Sequence, residues 1–182
     1  MRALSGHYVD FWQATEALVF AARMLRLDLS PGQRSELMSG FLNLSVWPDV
    51  RAALTSLRMA RLRLALSNAT AQVLHAGIRN AGLEGMFEHV LSTDAVRTFK
   101  PDRRAYQAGI EAFGLTTDEI LFVAFAGWDA AGAKWFGYPT FWVNRLGLPM
   151  EELGVVPDGV GETVDDLLRF LGHFGDDSRV GD

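Results

Sequence analysis

Between residues 9 and 25 the apolar positions Phe11, Leu18, Ala22 and Leu25 recur at intervals of three and four, with Thr15 filling the gap and Trp12 and Val19 widening the face. This period predicts an amphipathic helix. A second helix is predicted from about Gly32 to Asn43, opened by Ser30 as cap and Pro31 as first-turn residue. No strand is predicted in this stretch. At Trp47 and Pro48 the pattern changes, and Asp49 is placed to cap a helix running to about Ala60.

From there strands and helices alternate. Strands are predicted at Leu62 to Leu66, around Val90, at Ile120 to Phe125, at Thr140 to Val143 and near Val160. Helices are predicted from about Thr70 to Ala81, from Arg103 to Phe113 with Gly114 closing it, from Asp129 to a stop at Gly137, and from Thr163 to Leu171, before a polar tail from Gly172. The unbroken apolar run Ile120 to Phe125 suits a strand covered by helices on both faces. Such alternation implies an α/β fold of right-handed crossovers around a parallel sheet, which binds ligands beyond the carboxyl ends of its strands.

Composition narrows the function classes. The 182 residues are 49% hydrophobic and 21% charged, enough for one α/β domain with a sizeable core or for a core plus a small accessory module. The net charge of -5 comes without a basic block. Arg51, Arg58, Arg61 and Arg63 form a cluster without interleaved aromatics, so it reads as a solvated helix face and nucleic acid is not an expected partner. Zero cysteines exclude disulfides, thiolate nucleophiles and cysteine-built zinc sites. No apolar run reaches the roughly 18 residues of a membrane span, and Met1 to Trp12 lacks the plan of a signal peptide. The expectation is a soluble, cytoplasmic protein that does not engage a membrane.

Polar residues that fall at the carboxyl edge of the predicted sheet are Ser67 with Asn68, Lys100 and Asp129. Each also has a plain structural role open to it. Ser67 or Asn68 could cap the next helix, Lys100 before Pro101 could be a solvated loop lysine, and Asp129 could be a helix cap. Tyr106, sharing a helix face with Ile110 and Phe113, could simply pack.

Taken together, Leu66-Ser67-Asn68, the run Phe99-Lys100-Pro101-Asp102-Arg103-Arg104-Ala105-Tyr106, Gly127-Trp128-Asp129-Ala130-Ala131-Gly132-Ala133 and Phe141-Trp142-Val143-Asn144-Arg145 resemble the (S)-2-haloacid dehalogenases of the haloacid dehalogenase superfamily. Tyr8-Val9-Asp10-Phe11-Trp12 resembles part of that family's helical cap. The resemblance implies a Rossmann-like core with a parallel sheet plus a helical cap. On it, residues 1–46 are the remainder of the cap, 47–172 the core and 173–182 a polar tail. It implies that an aspartate on the first strand displaces halide from a 2-haloacid, and that water then hydrolyses the ester. Ser67 and Asn68 would hold the substrate carboxylate, Lys100 would supply a fixed positive charge, Asp129 would orient Lys100 and the water, and Tyr106 and Trp128 would contact substrate.

The sequence departs from this pattern in two places. The expected first motif, an apolar strand ending in aspartate and followed by Gly-Thr, is not found. The chain is read as starting inside the cap, without a nucleophile and without the central strand. Val156-Pro157-Asp158-Gly159 is the nearest fragment, but it lacks the strand and the threonine. Ala124 and Ala126 stand where many relatives carry Ser and Asn. Phe125 stands where phosphatases of the superfamily have an acid, so no metal and no other cofactor is expected. The expected ligand is a small 2-haloacid or another short carboxylic acid. A homodimer through the apolar cap helix, with Phe11, Trp12 and Phe20, is a further expectation. The other function that fits is a truncated relative that binds a small acid or a protein without catalysis.

Overall fold

The computed structural model describes residues 8–10 and 15–177, with side chains for all of these except residues 15, 66–68 and 173–177. Its contacts divide the chain into two compact units, Met1–Val46 with Leu64–Phe99, and Trp47–Arg63 with Lys100–Asp182.

In the first unit, α1 spans Thr15–Met24 and α2 spans Pro31–Ser39, followed by a 3₁₀ turn at Gly40–Leu42. The predicted start of α1 near Val9 falls partly on residues 11–14, outside the described residues, and residues 8–10 are not helical. Ser30 caps α2 as expected, in a reciprocal box with Gln33 that satisfies two N–H groups at the helix start. β1 is Ala65–Asn68, α4 is Ala71–Asn80 and β2 is His89–Ser92, with β1 and β2 paired in parallel. The strand therefore begins three residues later than Leu62 and takes in Ser67 and Asn68. Thr70 caps α4, its hydroxyl accepting from the Val73 N–H at 3.3 Å. The capping role open to Ser67 or Asn68 thus belongs to Thr70.

In the second unit, α3 is Val50–Met59, α5 is Arg103–Phe113, β3 is Phe122–Ala124, α6 is Gly127–Phe136, β4 is Thr140–Val143, β5 is Gly159–Gly161 and α7 is Val164–Asp177. Strands β3, β4 and β5 form a parallel sheet in that order. β4 is buried along its whole length, in keeping with its apolar sequence. Gly114 and Gly137 end α5 and α6 with φ of 65° and 117°, where a side chain would be strained. Thr163 and Asp166 cap α7 reciprocally, and α7 continues to Asp177, past the predicted end at Leu171. Among the described residues, β1 pairs only with β2 and β3 only with β4, and each unit holds its own parallel sheet.

Asp49 corrects a sequence expectation. Its side chain makes no cap bond to α3. It accepts instead from Arg145 Nη2 at 3.0 and 2.8 Å and from the Val164 N–H at 2.8 Å, so it caps α7, 115 residues away. The Arg145 guanidinium also lies 4.9 Å from the Trp47 ring. Burial raises the Asp49 pKa, but the bonds from Arg145 and Val164 outweigh it and hold the carboxyl below its ordinary value. The cluster joins the start of α3, the end of β4 and the start of α7.

Of the four arginines read as a solvated face, Arg63 departs from that reading. It lies 4.8 Å over the Phe113 ring and donates to the Phe113 carbonyl at 3.2 Å. Arg61 adopts φ of 62° and closes α3, with the Leu62 N–H reaching back to the Leu57 carbonyl.

Candidate active site

Three of the candidate residues meet in the second unit. Asp129 is the third residue of α6, just beyond the carboxyl end of β3, where the free N–H groups of the helix start favour a carboxylate. Lys100 Nζ donates to Asp129 Oδ2 at 3.3 Å, and the Tyr106 hydroxyl donates to Oδ1 at 2.8 Å. The Lys100 and Asp129 side chains are only 8% and 14% exposed, so this charge pair is largely out of water. Asp129 does not cap α6, because both its oxygens are turned to these donors. Ala126 occupies the cap position and offers no side-chain bond.

Tyr106 is buried at 2% exposure, more deeply than a residue that only half-packs. Its surroundings are Phe122, Phe136 and Tyr138, and the Tyr138 hydroxyl donates to the Tyr106 carbonyl at 2.7 Å. Burial first, and then the Asp129 charge and hydrogen bond, push the phenol far above its ordinary pKa. The hydroxyl therefore stays protonated and remains a donor. Gly132 makes room for it: a Cβ there would meet the Tyr106 oxygen, and the Pro101 Cβ at 3.0 Å. Lys100 Nζ also lies 4.7 Å from the Phe122 ring centroid and 6.0 Å from that of Tyr106, within reach of the negative ring faces.

Two aromatics are displayed here, Phe125 in the turn between β3 and α6 at 54% exposure and Trp128 in the first turn of α6 at 46%. Trp142 Nε1 donates to the Phe125 carbonyl at 3.0 Å and fixes the backbone there. Ala124 lies in an apolar cluster with Ala130 and Trp142, against which Phe122 and Met150 pack. A serine at this position would bury its hydroxyl among apolar groups. Ser67 and Asn68 end β1 in the first unit, and their side chains lie outside the described residues.

Asp158, in the fragment nearest the first motif, has a structural role. Lys134 Nζ donates to both its oxygens at 2.9 Å, and Oδ2 also accepts from the Thr140 N–H at 2.7 Å. Burial raises its pKa, but Lys134 and the Thr140 N–H bring the carboxyl below its ordinary value. Among the described residues, no three His, Asp or Glu side chains gather as a group able to hold a metal ion, and no helix is long and apolar enough to cross a membrane.

Sequence reasoning missed Phe122 and Gly132. Phe122 sat inside an apolar run, where nothing separates a ring that packs from one that also faces a cation. The signal for Gly132 was the small-residue run Ala130 to Ala133, which lets α5 and α6 approach.

The model of the haloacid dehalogenase-like hydrolase family matches residues 5–137. The haloacetate dehalogenase H-2 of Moraxella sp. (strain B) is 40% identical over 94% of this chain and 77% of its own length. The (S)-2-haloacid dehalogenase of Pseudomonas sp. (strain YL) is 45% identical over 87% of this chain and 69% of its own. Among solved structures, the L-2-haloacid dehalogenase of Xanthobacter autotrophicus superposes with a TM-score of 0.86 at 32% identity, over 94% of this chain and 80% of its own. Another structure of that enzyme, with chloropropionic acid covalently bound, gives 0.83 at 33% identity, over 93% of this chain and 79% of its own. With this fold, the buried Lys100, Tyr106 and Asp129 cluster and relatives of this closeness, the chain belongs to the (S)-2-haloacid dehalogenase family of haloacid dehalogenase-like hydrolases.

Proposed function

We propose that Lys100, Asp129 and Tyr106 belong to a 2-haloacid dehalogenase-type site that binds a short 2-haloacid carboxylate, and that neither Asp129 nor Asp158, both engaged by other groups, turns it over. The observation that carries the reading is the Lys100, Asp129 and Tyr106 cluster. Tyr106 fixes Asp129, and Asp129 fixes Lys100, so an ammonium charge stands ready at the carboxyl end of β3. Such a fixed charge favours an anionic substrate and stabilises negative charge as it develops during displacement. The relatives' names supply the substrate class, and the covalent chloropropionic acid in one of them supports an ester mechanism.

Ser67 and Asn68 are assigned to the substrate carboxylate, and Trp128 to the substrate's apolar side. Neither Asp129 nor Asp158 is available as nucleophile. The oxygens of the first are engaged by Lys100 and Tyr106, and those of the second by Lys134 and the Thr140 N–H. No metal or organic cofactor is assigned, and the cytoplasm is the proposed compartment. The exposed Phe20, Met24, Leu25 and Leu37 of the first unit support self-association into a homodimer.

The test is titration of (S)-2-chloropropionate into the 182-residue protein, followed by calorimetry and by assay of released chloride. The expected result is saturable binding that disappears in Ser67→Ala, with no chloride released. Chloride release by the unmodified protein would overturn the assignment of a non-turning site. Absence of binding would remove the substrate assignment.

A further inference from the structure

Tyr138 is one of the three tyrosines of the chain and follows Gly137, which closes α6 ahead of β4. The φ of 117° at Gly137 turns the chain back there, and the Tyr138 side chain, buried at 2% exposure, reaches α5. Its hydroxyl donates to the Tyr106 carbonyl at 2.7 Å. Burial pushes the phenol above its ordinary pKa, against a bond from the Ile110 backbone that lowers it, so the hydroxyl keeps its proton and stays a donor.

A phenylalanine would fill the same apolar space, since the Tyr138 ring lies against Phe122 at 5.8 Å and 15° and Phe136 at 5.0 Å and 43°. The hydroxyl has a use beyond packing, and α5 is built to admit it. A Cβ at Gly109 would lie 2.8 Å from the Tyr138 oxygen, so α5 carries in its interior a glycine, which weakens a helix. Gly132 does the same in α6 for the Tyr106 hydroxyl. The two hydroxyls act in series: Tyr138 holds the Tyr106 main chain, and Tyr106 holds Asp129 Oδ1 at 2.8 Å. Phe122 and Phe136, against which Tyr138 packs, also flank the Tyr106 ring, at 5.4 and 5.7 Å. We propose that Tyr138 is a positioning residue of this site, whose hydroxyl fixes the Tyr106 main chain so that the Tyr106 phenol meets Asp129. Its weight in binding rests on the dehalogenase-type reading above; the contact itself does not.

The experiment compares the whole chain with Tyr138→Phe and with Tyr138→Phe combined with Gly109→Ala, which fills the space the hydroxyl leaves. Tyrosine is isotope-labelled at its ζ carbon, and NMR in half-deuterated water reads the exchange rate of the Tyr106 hydroxyl proton. In Tyr138→Phe that rate should rise about three- to tenfold, the equivalent of one buried hydrogen bond. In the double variant it should stay raised while the urea midpoint recovers, because a methyl group restores packing and not the bond to the Tyr106 carbonyl. The affinity for (S)-2-chloropropionate should fall in both variants. A Tyr106 rate within about 1.5-fold of the unmodified protein, well under the effect of one lost hydrogen bond, would overturn the proposal. So would a rate that the added methyl group returns to normal, which would make the role one of packing, or a hydroxyl already too fast to resolve in the unmodified protein. Faster exchange with unchanged haloacid affinity would confine the hydroxyl's effect to Tyr106 and remove Tyr138 from the site. Because the exchange rate needs no ligand, a rise in a protein that binds no haloacid would keep Tyr138 as the residue that positions Tyr106 and remove the substrate reading.

Discussion

Replacing Asp49 by alanine tests whether a contact between residues 49, 145 and 164 holds the second unit together. The carboxylate accepts from Arg145 Nη2 at 3.0 and 2.8 Å and from the Val164 N–H at 2.8 Å, and the Arg145 and Asp49 side chains are 9% and 14% exposed. Exposed ion pairs contribute only about 0–1 kcal/mol. Here removal of one partner strands a guanidinium that water barely reaches, and breaking such a pair costs roughly 3–5 kcal/mol. The α7 cap, lost with the same carboxylate, accounts for about 1 kcal/mol of that kind of effect. The expected loss for Asp49→Ala is therefore about 3–5 kcal/mol in urea unfolding followed by tryptophan fluorescence.

A second variant separates the stranded charge from the lost cap. Asp49→Ala combined with Arg145→Met removes the guanidinium and keeps an apolar chain over Trp47. It should recover most of the loss and leave a deficit of about 1–2 kcal/mol. A single variant that loses less than about 1 kcal/mol, as a surface pair would, refutes the reasoning. So does a double variant no more stable than the single one, because the damage would then not come from the unpaired charge.

Three further outcomes are expected. Asp49 and Asp158 both have carboxyl pKa values lowered from 3.8 in the folded state. Their stabilisation is thus complete above the unfolded value and is lost as pH falls through the folded ones, so the urea midpoint should hold from neutral pH down and drop below about pH 4, with Asp158→Asn flattening that drop. Tyr106→Phe takes the donor from Asp129 Oδ1 and should cost about 1.5–3 kcal/mol in the same unfolding assay, the range for a hydrogen bond to a charged group. Ala124→Ser, which introduces the residue that the family resemblance leads one to expect, should cost about 1–3 kcal/mol, because its hydroxyl would enter the apolar cluster of Ala130, Trp142 and Met150; a thermal melt that rises would show instead that the hydroxyl finds a partner.

The α/β class, the helix stops at Gly114 and Gly137, the Ser30 cap and the motif residues Lys100, Tyr106 and Asp129 were legible in the sequence. Each follows from local chemistry: apolar period, capping oxygen, freedom at positive φ, or a spaced motif. The strand boundaries were less legible. Apolar runs such as Ile120 to Phe125 extend beyond the residues that pair, and β3 covers only Phe122–Ala124 because pairing depends on where β4 lies.

Only the tertiary structure decided what the polar groups do. Asp49 stands beside α3 and would cap it by sequence, yet its carboxylate is drawn to Arg145 and to α7, because an ion pair shielded from water outweighs one local cap bond. Tyr106 reads as a packing residue on its own helix and becomes the anchor of Asp129 once Gly132 opens a slot for its hydroxyl. Lys100 in sequence is a loop lysine before a proline, and its burial between Asp129 and the Phe122 ring appears only when α5, β3 and α6 pack. The sequence by itself determined which elements form and which residues match the family's motifs. Partners 20 to 115 residues apart are chosen by packing, which no local pattern encodes.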